Sequence, residues 1–104
     1  RVLATIARLT TLSVPGVSRL SPAPVRGVGS LWGGLGPNAG VHVDVVEDAV
    51  VIDVYVVAQP DVNLSALGRE IQARVSRAVH DMVGMPVRAV NVYFRDIERA
   101  SSGS

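Results

Sequence analysis

His42, Asp44 and Asp53 bring one imidazole and two carboxylates into twelve residues of a 104-residue chain. Such a set has the donor types to hold a divalent metal or to share general acid–base work. The competing reading is a solvated polar face with one cross-strand His–Asp pair, and it is favoured because three such groups on neighbouring strands often arise by chance. Ser65 and Ser76 have no identifiable His or Asp partner, so a hydrolase triad has nothing to rest on, and His80 falls on the polar side of a helix. The chain has no cysteine, which excludes disulfides, thiolate catalysis and Cys-ligated zinc. All ten basic residues are Arg, so Schiff-base and P-loop lysine chemistry are absent as well. No catalytic residue, cofactor-binding residue or metal ligand is assigned, and the chain is expected not to be an enzyme.

Binding chemistry has more to offer. "GGLG" at 33–36 is literally a Gly-x-x-Gly, and a helix–strand–strand–helix–strand order resembles type II KH domains, which grip single-stranded RNA. In a KH domain that loop joins two helices. Here it precedes a strand, carries no basic residue and belongs to a chain of formal charge +1, so a linker is the better reading and nucleic acid is not expected as a partner. Arg69, Arg74 and Arg77 interleave with Glu70 and Asp81, which describes a solvated helix face better than a docking site for an acidic partner. Trp32, the single Trp, has two open readings: a plug at the sheet edge or an exposed interaction anchor.

These residues need elements to place them. The chain length suits one domain with a single core, and 48% hydrophobic content with few aromatics makes that core aliphatic. The longest apolar run, "AVVIDVYVVA" at 49–58, is ten residues broken by Asp53, far short of the roughly 20 that a bilayer-spanning helix requires. No membrane insertion is expected, and a cytoplasmic location is the natural expectation for a Cys-free domain of this kind.

Val2, Leu3, Ile6, Leu9 and Leu12 recur at spacings of three and four, predicting an amphipathic helix that "SVPG" at 13–16 stops. Val17 to Leu20 suits a short strand, and residues 21–40 hold three prolines and six of the ten glycines, a long loop. Residues 41–46 and 49–58 alternate with period two and predict a hairpin whose turn is Glu47-Asp48, which sets His42 opposite Asp53. The alternative turn at 48–49 sets Asp44 against Asp53 and is disfavoured by like charge.

Asn63, or as the weaker alternative Asp61, is a suitable N-cap for a helix of about 20 residues bearing Leu64, Leu67, Ile71, Val75, Ala78 or Val79, and Met82 on one stripe, with Gly84 as its C-terminal stop and Pro86 preventing continuation. Residues 87–96 form the last strand. The predicted fold is therefore a two-layer α/β (α+β) domain over residues 1–97, with 98–104 a flexible tail. Its order is helix, hairpin, long helix, strand, with two helices on one face of a mixed sheet of three strands, or four if Val17–Leu20 joins. The other face is left bearing His42, Asp44, Asp53, Tyr55, Asn91 and Tyr93, a natural contact surface to which Trp32 is added as a candidate.

The stretches "VPGV" at 14–17, "VVIDVYVV" at 50–57 and "VNLSALGREIQARVSRAVHDMVGMPVRAVNVYF" at 62–94, in that order, resemble the alkaline-shock protein family, envelope stress-response proteins of Gram-positive and related bacteria. The Val-Asn-Leu entry, the Arg-Glu-Ile-Gln helix core, the Met-x-Gly exit and the Val-Asn-Val strand carry the likeness, which covers about residues 2–97. The resemblance implies a small cytosolic α/β domain that forms homo-oligomers, in some members held at the membrane by a separate anchor protein. It implies no reaction and no cofactor. The Gly/Pro-rich 21–40 loop with Trp32 and the lack of lysine depart from the family's pattern.

Overall fold

The computed structural model describes residues 2–22 and 39–97. Along the chain run α1 (Val2–Ser13), β1 (Val17–Leu20), β2 (Val41–Val46), β3 (Ala49–Ala58), α2 (Leu64–Val83) and β4 (Val87–Ile97). Trp32, the "GGLG" at 33–36, most of the 21–40 loop and the 98–104 tail lie outside the described residues.

The hairpin forms in the predicted register, from Val46 opposite Ala49 through His42 opposite Asp53 to Val41 opposite Val54. Glu47 and Asp48 both take left-handed backbone, at φ of 51° and 68°. That is the type I′ geometry whose twist matches two antiparallel strands.

β3 is the centre of a four-stranded mixed sheet. β4 runs parallel to it on one side, while β2 and β1 run antiparallel on the other, end to end. The junction of those two strands is at Tyr55. Its amide donates to Gly40 O at 2.8 Å, and its carbonyl accepts from Ser21 N at 2.8 Å. Ser21 and Gly40 thus meet on one residue of the central strand. Gly40 sits there at φ +94°, and a Cβ on it would lie 2.8 Å from Leu20 Cβ and from Ser21 O. Only glycine fits both the dihedral and the space.

Both helices cover the same side of the sheet. The core joins Val50, Ile52, Val54, Val56 and Ala58 of β3 to Leu67, Ile71, Val75 and Val79 of α2, with Ala7, Val14, Val17 and Val90 completing it. α2 buries one row at a strict spacing of four, each residue contributing on the order of 1.5–3 kcal/mol before entropy is subtracted. Asn63 caps it, its Oδ1 accepting from Ala66 N at 3.0 Å, and Gly84 ends it at φ +79° with its amide on His80 O. Two details of the predicted stripes are corrected. Met82 is 73% exposed, because the buried row of α2 stops at Val79. On α1 the inward residues are Ala7 and Thr11, flanked by Leu3 and Ile6, whereas Val2, Leu9 and Leu12 are exposed. The helix is rotated from the aliphatic stripe so that a small residue meets the crowded junction of helix and sheet.

Candidate functional site

The side of the sheet away from the helices is built from rungs that the register fixes. In β3 and β4, Val51 lies beside Ala89, Asp53 beside Asn91 and Tyr55 beside Tyr93; in β2, Asp44 lies beside Val51 and His42 beside Asp53. All six polar and aromatic residues expected on this face are on it. Each is there because alternate residues of a strand point to opposite faces and the aliphatic set is taken by the helices.

Tyr55 and Tyr93 stack with ring centroids 5.0 Å apart and an interplanar angle of 17°. Tyr93 is 45% exposed, so the stack presents apolar ring surface at that end. Asn91 Nδ2 donates to Asp53 Oδ1 at 2.8 Å, a part-buried hydrogen bond to a carboxylate that locks the middle rung. His42 Nε2 lies 3.4 Å from Asp44 Oδ2, two residues along the same strand. The expected cross-strand His42–Asp53 pair is thus not made: the two residues are register partners, but each side chain finds a nearer group. Among the described residues no three His, Cys, Asp or Glu side chains converge as a metal set would. Chemically the face offers stacked aromatic surface, a fixed Asn–Asp pair and an exposed His–Asp pair, an assortment suited to contact with another macromolecule.

On α2, each of the three arginines considered for docking is engaged with its own helix. Arg69 donates to Ser65 Oγ, Arg74 pairs with Glu70, and Arg77 Nε lies 3.8 Å from Asp81. That is the solvated-face arrangement, worth a few tenths of a kcal/mol per pair. Two features were not read from the sequence. Val57 is only 2% exposed yet lies outside the core cluster. Gln72 Nε2 reaches from α2 to Val90 O of β4 at 2.9 Å, and a lone Gln in a helix gives no signal of such a bond. No described helix is long and apolar enough to cross a membrane.

The sequence profile of the alkaline shock protein 23 family, described as having a cell envelope-related function, matches residues 1–99. The uncharacterized protein YqhY of Bacillus subtilis (strain 168) is 25% identical over 97 residues, spanning 93% of this chain and 72% of its own. The uncharacterized protein Spy1535 of Streptococcus pyogenes serotype M6 is 32% identical over 98 residues, spanning 93% and 74%. Among solved structures, a variant of the MamM CTD superposes with a TM-score of 0.55 over 94% of this chain and 98% of that one, at 14% identity. A zinc form of another MamM CTD variant gives a TM-score of 0.53 over 99% and 88%. At 14% identity the likeness is one of fold.

Proposed function

We propose, from the premise that this chain belongs to the alkaline shock protein 23 family of cell envelope-related function, that it is a non-enzymatic, self-associating interaction protein of the envelope stress response. It works at the cytoplasmic side of the membrane through a membrane-held partner protein, and the open sheet face is its contact surface. The observation that carries this reading is the Tyr55–Tyr93 stack, half-exposed on a sheet whose opposite side is already filled by two helices. Tyr is a residue of choice for protein contacts, since its ring buries a large apolar area while its hydroxyl stays hydrogen-bonded. The Asn91–Asp53 hydrogen bond holds the neighbouring rung rigid, which lowers the entropy lost when a partner docks.

The test is light scattering on the 10.9 kDa chain, joined to capture from cells with the membrane fraction included. Tyr55→Glu with Tyr93→Glu is expected to lower the oligomer mass and to lose envelope-derived partners, with an unchanged far-UV circular dichroism spectrum. A doubly substituted protein with the parent's mass and the parent's captured partners counts against the open face as the contact surface.

A further inference from the structure

The two outer edges of the sheet are built differently. Along β4 the register with β3 shifts twice, between Val50 and Val51 and between Val56 and Val57, leaving Arg88 and Arg95 as the extra residues at two bulges. Between them Gln72 occupies the Val90 carbonyl. Bulges, charges and a capped carbonyl are how proteins keep an edge strand from pairing with another chain. β2 carries one carboxylate, Asp44, but among the described residues neither a bulge nor a capped carbonyl. Its six residues keep unbroken register with β3, contain no proline, and leave Val45 58% and Val46 41% exposed.

Which backbone groups β2 turns outward follows from the hairpin. In a two-residue loop the flanking pair, Val46 and Ala49, exchanges hydrogen bonds, so His42, Asp44 and Val46 direct theirs to β3. The Tyr55 amide on Gly40 O continues the same alternation. Val41, Val43 and Val45 therefore aim their N–H and C=O groups at the outer edge.

We infer that a second copy of this chain adds to β2 as an antiparallel strand, about a two-fold axis at Val43, joining two sheets into one continuous eight-stranded sheet. This rests on the self-association reading and adds to the open face a second surface, the β2 edge. In this register Val43 faces Val43 of the second copy and Val41 faces Val45, so three residue pairs exchange about six backbone hydrogen bonds. The exposed Val45 gains a cross-strand apolar neighbour. His42 meets Asp44 of the second copy, and Asp44 meets its His42, at non-hydrogen-bonded positions where side chains approach closest. The neighbouring registers fail: an axis at Asp44 sets Asp44 against Asp44, and an axis at His42 sets His42 against His42. An imidazole meets a carboxylate only about Val43, and a self-complementary patch is what a two-fold dimer requires.

The chain has no cysteine, so introduced thiols are unambiguous. His42→Cys and Asp44→Cys proteins, mixed and oxidised, are expected to form a disulfide-linked heterodimer, while neither alone cross-links at this edge. The second arm reads dimer affinity. His42→Asp, which opposes two carboxylates, is expected to weaken the dimer at least about tenfold, and His42→Asp with Asp44→His to restore it. If the parent is multimeric but the mixture gives no heterodimer and the charge exchange restores nothing, the β2 edge is overturned while self-association stands. A parent of protomer mass at millimolar concentration removes both.

Discussion

At the scale of the residue, the hairpin turn concentrates local strain. Glu47 and Asp48 both hold positive φ, a conformation that costs an L-residue roughly 1 kcal/mol, less for Asp than for most. Asp48→Gly removes the steric part of that cost at the position where type I′ turns prefer glycine. It is expected to stabilise the domain by about 0.5–1 kcal/mol, read as a higher urea midpoint with an unchanged slope. The sequence allowed the turn to be placed because only a loop at 47–48 sets His42 opposite Asp53 without opposing two carboxylates. It did not allow the side-chain pairing to be read. His42 turns along its own strand to Asp44, and Asp53 is taken by Asn91 from β4, a choice that depends on rotamers and on a strand 38 residues away.

At the scale of the element, period and punctuation were legible and helix rotation was not. The hairpin, the long helix with Asn63 and Gly84 at its ends, and the final strand stand where alternation and capping residues put them. The buried face of α1 departs from its aliphatic stripe because the junction of helices and sheet selects the small side chains Ala7 and Thr11. Two glycines separate conformational strain from steric conflict. A Cβ at Gly84 would meet nothing within 4 Å, so Gly84→Ala is expected to cost only the left-handed backbone penalty, about 1 kcal/mol. Gly40→Ala adds contacts at 2.8 Å with Leu20 and with backbone at Ser21. It is expected to cost more than about 2 kcal/mol, and equal unfolding midpoints for the two variants would contradict the packing described at Gly40.

At the scale of the whole molecule, the organising fact is asymmetry. Two helices fill one side of the sheet with Val50, Ile52, Val54 and Val56, leaving the Tyr55–Tyr93 stack and the Asn91–Asp53 bond on the other. That division was legible because a two-residue period commits every side chain to a face once one face is known to be buried. The behaviour of the edges was not legible, since bulges at Arg88 and Arg95 come from how β4 meets β3 and leave no mark in the local pattern.

The meeting of Ser21 and Gly40 on Tyr55 has a consequence for how this chain can vary. Two chain ends held at one rung can be joined by a connection of almost any length. Replacing residues 23–38 with a short Gly/Ser linker is therefore expected to shift the melting temperature by only a few degrees, since closure entropy changes slowly with loop length. Loss of cooperative melting in that variant would mean that the inserted stretch is a structural part of the domain. If melting stays cooperative, relatives built on this frame are free to carry different cargo between the same two fixed ends.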